Sequence, residues 1–276
     1  MKQYLDLLQD VLDNGELKEN RTGVDTLSIF SRQLRFNLND GFPLMTTKRV
    51  YWTGVAHELL WFISGNTNIK YLQDNNVHIW DEWADTDGNL GPVYGRMWRR
   101  FPHNDTIIDQ LQSVIDRLRT NPNDRRLVVS AWNPALLPDT SKTFGENVAD
   151  GKQALPPCHY SFQFVHINGK LNLIWNQRSV DVFLGLPFNI ASYGLLLKMV
   201  AHITNLQANE LVFSGADVHL YTNHIDQAKE QLSREPRQLP KLSIVGDVKE
   251  IDDFTIDNIQ LSEYNPHSTI KAPVAA

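Results

Sequence analysis

Only one cysteine, Cys158, occurs in the 276 residues, so no disulfide can close within the chain and a disulfide-stapled scaffold is excluded. Positive charge is scarce as well. Against 32 acidic residues stand 26 basic ones, a net charge of −6, without the basic stripe of a dedicated nucleic-acid binder. Any anionic ligand must therefore be held by a local cluster of arginines. Long apolar runs are also missing: GLLLKMVAHI (Gly194–Ile203) is broken by Lys198 and His202, short of the roughly 18 apolar residues of a membrane span. The N-terminus spaces Tyr4, Leu7, Leu8, Val11 and Leu12 as an amphipathic helix and intersperses acids that a signal peptide avoids. With no repeat, low-complexity linker or composition shift to mark a boundary, one cytoplasmic domain over residues 1–276 is expected.

What is present can be placed on elements. The run 27–38 alternates as a strand, and 50–65 reads as a helix ending at Gly65. A second amphipathic helix is predicted over 105–122, stopped by Asn121-Pro122, followed by a strand over 125–132. The polar, turn-forming stretch 133–157 reads as a long surface loop.

Asn168-Gly169, between two β-rich runs, is a strong hairpin signal. If Ile167 pairs with Lys170, Cys158 falls opposite Ser179 with Arg178 next to it, and a bulge would shift that pairing by one residue. The thiol is then near a guanidinium. A thiol of ordinary pKa, about 8.5, is mostly protonated at neutral pH, and a nearby cation raises its thiolate fraction. The competing reading is a core cysteine at a strand end.

Further polar residues stand out. On a helical wheel Glu58 sits about 40° past Phe62, at the rim of the buried face. Aromatic surroundings would raise its pKa toward the range useful for proton transfer, whereas a head that reaches water would leave it ordinary. Arg21, the pair Arg125-Arg126, and Arg178 followed by Ser179 offer the forks and hydroxyl that phosphate recognition needs. Adjacent residues on a strand face opposite ways, so Arg125 and Arg126 cannot easily serve one ligand. Asn189 precedes an almost wholly apolar segment, either as a helix N-cap or as an amide that donates and accepts at once. His219 and Tyr221, two apart, share one side if that stretch is extended.

The motifs LPPCH, QRSVDVFLGLPFNIASY, HLYTNH, SREPR and KAPVA, in this order, together with RTG, FPLMTTK, HELLWFISGNTN, WDEWAD and LGPVYGRMWR before them, resemble the thymidylate synthase family over almost the whole chain. That resemblance implies an α+β domain with a large mixed β-sheet flanked by helices and a sheet-to-sheet homodimer. It implies a methyltransferase that converts dUMP to dTMP, with 5,10-methylenetetrahydrofolate as carbon and hydride donor, and no metal. Matched residue by residue, Cys158 is the nucleophile, Glu58 the acid/base, and Arg21, Arg178 and Ser179 the phosphate binders. Arg125 and Arg126 reach the partner subunit's site. Asn189 reads the uracil; Asp181, His219 and Tyr221 orient the folate and deoxyribose. Tyr51, Ile79, Trp80, Trp83, Leu184, Gly185, Phe188 and the C-terminal Ala275 match the folate wall and lid.

Two departures from the family pattern stand out. The stretch before Cys158 is longer than usual by roughly a dozen residues, an insertion within about 138–153, and position 51 is Tyr where many bacterial relatives carry His. A pyrimidine hydroxymethylase of the same fold and a non-catalytic nucleotide- or RNA-binding relative are the alternatives, although nothing indicates RNA binding, and no membrane partner is expected.

Overall fold

The computed structural model describes residues 1–20 and 23–274. Helix α1 (Lys2–Asn14) buries Tyr4, Leu7, Leu8 and Val11, the stripe that the spacing predicts. Strand β1 (Glu16–Lys18) pairs with β2 (Thr26–Asn37). Helix α2 (Trp52–Ile63) ends beside Gly65, whose φ of 71° is the left-handed value that glycine accepts readily. Short helices α3 (Lys70–Asp74) and α4 (Tyr94–Arg99) follow.

The helix predicted from residue 105 begins later. Strands β3 (Phe101–His103) and β4 (Thr106–Ile108) form a hairpin, and α5 (Gln110–Thr120) starts only after Asp109, whose side chain accepts from Gln112 N at 2.9 Å. An N-cap satisfies an otherwise unpaired N–H, whereas extending the helix back would recruit Ile107 and Ile108, which are solvent-exposed. Strand β5 (Val128–Ser130) is also shorter than predicted.

The connection from 133 to 157 is not merely a surface loop. It contains helix α6 (Phe144–Ala149), opened by a capping box in which Thr143 and Glu146 satisfy each other's backbone N–H groups. Asn147 is buried there, and its amide donates to the carbonyls of Asp139 and Thr143. Within this polar connection, Leu136, Phe144, Val148 and Leu155 pack against the main core.

Asn168 and Gly169, at φ 50° and 77°, turn β6 (His159–Ile167) into β7 (Lys170–Asp181), as the hairpin signal predicts. Helix α7 (Gly185–Ile203) then crosses over to β8 (Gln207–Tyr221), which pairs with β7 in parallel. Helix α8 (Ile225–Leu232) and the antiparallel pair β9 (Lys241–Ile244) and β10 (Ile259–Ser262) complete the chain. The six-stranded mixed sheet has the order β1-β2-β8-β7-β6-β5. Its packed face carries Phe162, Phe164, Leu173, Trp175 and Phe213, all buried. Helix α7 is long and apolar enough to cross a membrane by composition, but 72% of its most apolar window is buried inside this core. The opposite face exposes Val128, Val165 and Ile167. Ser31, at φ 49° and unpaired in the ladder, shifts the alternation of β2 so that Phe30 is 86% exposed.

Candidate active site

The hairpin register holds from Ile167↔Lys170 to Ser161↔Asn176, and then a bulge at Tyr160 places His159 opposite Gln177. Cys158 therefore faces Arg178, not Ser179, and Arg178 N donates to Cys158 O at 2.9 Å. The guanidinium folds back along the same strand end. Its Nε donates to Pro157 O at 3.0 Å, its Nη2 to Pro156 O at 3.0 Å, and Nη2 lies 3.8 Å from Cys158 Sγ. Proline lacks an N–H, so the Pro156-Pro157 stretch presents only acceptors, and these hold the cation beside the sulfur. Cys158 N donates to the Tyr94 hydroxyl at 2.9 Å.

Tyr94 joins this sulfur to Glu58. Burial first, then the charge at Cys158 and, more weakly, that at Glu58, push the Tyr94 hydroxyl well above its ordinary value. Its ring stacks on His159 at 4.1 Å and packs against Phe62 at 5.0 Å and Trp80 at 6.0 Å. Glu58 does not send its head to water. It is 8% exposed, and Oε1 accepts from Trp80 Nε1 at 2.8 Å. Burial lifts its pKa to about 7, against the opposing pull of the Trp80 bond. His159, whose Nδ1 lies 2.8 Å from the Tyr193 hydroxyl, is pushed down to about 3 by burial and stays neutral.

Ser179, Asp181, His219 and Tyr221 line the ends of β7 and β8, where parallel pairing sets Ser179 beside Asp217 and Asp181 beside His219. Asp181 accepts from Phe183 N at 2.8 Å and Leu184 N at 3.3 Å, shaping the turn that presents Leu184, Gly185 and Phe188. His219 and Tyr221 do share a side, with ring centroids 5.4 Å apart. Asn189 is not an N-cap: α7 begins at Gly185, because a proline is tolerated in the first turn. Its Oδ1 accepts from Gln177 Nε2 at 3.0 Å, and Gln177 Oε1 accepts from Trp175 Nε1 at 3.1 Å.

Compared with protein families, residues 2–276 match the thymidylate synthase model. Two curated thymidylate synthases, from Francisella tularensis subsp. holarctica strains FTNF002-00 / FTA and OSU18, are each 53% identical over 275 residues, covering 100% of both chains. The chain belongs to the thymidylate synthase family. Its reaction is the methylation of dUMP to dTMP, and the family uses methylenetetrahydrofolate.

The remaining candidates of this thymidylate synthase fold lie farther out. Arg125 and Arg126 precede β5 instead of lying on a strand; both are exposed, and Arg126 Nε and Nη2 sit 3.0 and 3.1 Å from Asp124. The bend made around Asp124 removes the strand alternation that the sequence suggested. Tyr51 donates to Asn76 O at 2.9 Å, tying the start of α2 to the loop that carries Ile79, Trp80 and Trp83, and Trp80 meets Trp83 edge-on at 5.6 Å. Arg21 and Ala275 lie outside the described residues. Sequence reasoning missed Tyr94, Gln177 and Lys48. Lys48 is buried, donates to Phe183 O at 2.5 Å, and burial lowers its pKa to about 7, with Asp181 opposing. Only the buried setting of FPLMTTK between apolar runs could have flagged it.

Proposed function

We propose that Cys158 adds to C6 of dUMP and that Glu58 acts as acid/base through ordered water. The convergence of Cys158, Arg178 and Glu58 around Tyr94 carries this reading. Carbon C5 of uracil is a poor nucleophile. Addition of sulfur at C6 pushes the ring electrons onto O4, and the resulting enolate makes C5 reactive. The Arg178 guanidinium faces the charge that the sulfur carries as it attacks. Asn189, oriented by Gln177, stabilises the charge that grows on O4. A buried carboxyl with pKa about 7 is suited to give and take protons near neutrality.

Arg21, Arg178 and Ser179 hold the phosphate, and His219 and Tyr221 the deoxyribose. The edge-on pair Trp80 and Trp83, next to Glu58, supports an aromatic cosubstrate there. 5,10-Methylenetetrahydrofolate, when bound, supplies the one-carbon unit and the hydride. Tyr51, Ile79, Trp80 and Trp83 form one side of its pocket, and Asp181, Leu184, Gly185 and Phe188 the other. The family's C-terminal lid, which Ala275 matches, would exclude water from that pocket. The active unit is a homodimer joined through the helix-free sheet face with its exposed Phe30 and Val165, and each chain lends Arg125 and Arg126 to its partner. A cytoplasmic location is part of this reading.

The test is 5-fluoro-dUMP with methylenetetrahydrofolate, since fluorine at C5 cannot leave as a proton. Peptide mass spectrometry should find the adduct on the peptide carrying Cys158 and none in Cys158→Ala. Substantial turnover by that variant, or an adduct elsewhere, overturns the assignment.

A further inference from the structure

Most described arginines are engaged by their own chain. Arg99, for example, binds Asp109 and Asp252, and Arg119 binds Glu250. Arg96 and Arg100 are not: among the described residues neither guanidinium has a hydrogen bond or ion pair, which holds for Arg49 and Arg125 too, but only Arg96 and Arg100 share a groove. Four apart, on α4 and at its C-cap, they lie on one side of that short helix. Both line a groove of about 730 Å³. Arg99, between them, takes the nearby carboxylates for itself, and no acidic residue lines the groove.

The other walls add donors. Asn66 and Thr67, in the turn after α2, line it too, and the Asn66 NH2 group and Thr67 hydroxyl have no partner among the described residues. Leu136 and Gly151, at either end of the long connection before Cys158, close the far side, with Met97 as an apolar floor. That wall is built in. Gln153 N donates to Leu136 O at 2.9 Å, its Nε2 to Pro92 O at 2.9 Å, and Ala154 N to Leu90 O at 2.9 Å. Gly91, at φ 66°, lets the chain approach so closely that a Cβ there would lie 2.0 Å from Lys152 O.

The geometry points to a second binding site, outside the catalytic one, for an organic phosphate of nucleotide size. Two uncommitted forks, an amide and a hydroxyl form a donor-rich rim, and a phosphate supplies the matching acceptors. The volume is that of a small-molecule pocket, and the Pro102 and Leu136 surface takes the ligand's less polar body. Arg96 and Arg100 hold the phosphate in a protein whose net charge is −6.

The test uses the intact enzyme, its catalytic site blocked by 5-fluoro-dUMP and methylenetetrahydrofolate and the excess removed. Equilibrium dialysis against labelled dTTP, and separately against inorganic phosphate, then reads the groove. One dTTP per chain is expected, bound at least tenfold more tightly than phosphate. The double variant Arg96→Ala/Arg100→Ala should lose at least tenfold in dTTP affinity, as should the exposed charge reversal Arg100→Glu, which leaves the core untouched, while both keep kcat and the KM for dUMP. If the block does not form, the adduct assignment has failed on its own, and the difference between wild type and the variants still reads the groove. No retained dTTP, equal retention by the variants, or phosphate bound as tightly as dTTP overturns the proposal.

Discussion

The two ends of the candidate active site are built differently. Around Cys158 every group is held before a ligand arrives: Arg178 by two proline carbonyls, Cys158 N by Tyr94, Glu58 by Trp80, and Asn189 by Gln177. At the edge of the sheet Arg125 and Arg126 stand in solvent, and Arg126 closes only on its near neighbour Asp124. The difference follows from partners within the chain. A buried charge must be paired or hydrogen-bonded where it lies, so the inner groups come with their partners, whereas an exposed guanidinium is satisfied by water and can await an external phosphate. On the proposed reading the chemistry is preorganised within one chain, and the outer pair of arginines is left free for a partner's site.

The largest effect expected is one that merges the two ends across a dimer. Cys158→Ala and Arg126→Glu chains should each be nearly inactive as homodimers. Mixed, one site of the heterodimer combines the intact Cys158 of the second chain with the intact Arg126 of the first, and the other site carries both lesions. Activity should return toward half that of a wild-type dimer for each heterodimer counted by mass. Heterodimers without recovery would mean that Arg126 acts within its own chain, and the contrast between the two ends would lose its explanation.

A smaller effect probes the inner end alone. Glu58→Gln keeps an acceptor for Trp80 but cannot shuttle protons, so kcat should fall by about two to four decades. Stability should respond with a defined sign. The folded pKa of Glu58, about 7, lies above the ordinary 4.5, so the folded state keeps a proton that the unfolded chain has lost. Its contribution is complete below pH 4.5 and falls away as pH rises to about 7, on the order of 3 kcal/mol in all. Urea midpoints for Glu58→Gln should lack this slope, and an unchanged slope would remove Glu58 as its source.

Base choice ranks next. Asn189→Asp keeps the oxygen that accepts from Gln177 Nε2, so its anchor survives while its outward pattern changes to suit cytosine. The dUMP/dCMP ratio of kcat/KM should fall by about one to two decades, the weight of a mispaired buried group of about 1–3 kcal/mol. An unchanged ratio would leave Asn189 as part of the scaffold only.

Periodic and turn-coded features were legible in the sequence: the stripe of α1, the stop at Gly65, the Asn168-Gly169 hairpin and the buried α7. Cys158 could be singled out as the only cysteine, Arg178 by the hairpin register that brings it near that thiol, and Glu58 by its place at the rim of an apolar helix face. Tyr94 could not. Its bond to Cys158 spans 64 positions of sequence, and that of Lys48 to Phe183 spans 135, distances over which no periodicity carries information. The one-residue bulge at Tyr160 was invisible for another reason. A ladder's register is set at its turn, but a bulge depends on what packs beside it.

The smallest effect belongs to a region outside both ends. Thr143 caps α6, and with Glu146 it forms a closed pair of hydrogen bonds on the exposed side of the long connection. Thr143→Ala removes the cap and should cost about 1 kcal/mol, a fall of about 2–4 °C in Tm for a chain of this size. The wall made by Gln153 and Ala154 is tied to Pro92 and Leu90 by bonds of its own, and the proline carbonyls at Arg178 lie beyond it in sequence. Fraying of α6 therefore has no short route to Cys158, and kcat/KM for dUMP should stay within twofold of wild type. Thermal unfolding and steady-state kinetics on the same preparation check both. A loss of activity larger than the loss of folded protein would show that the connection helps to set the carbonyls that hold Arg178, and the inner end would then reach farther along the chain than its hydrogen bonds indicate.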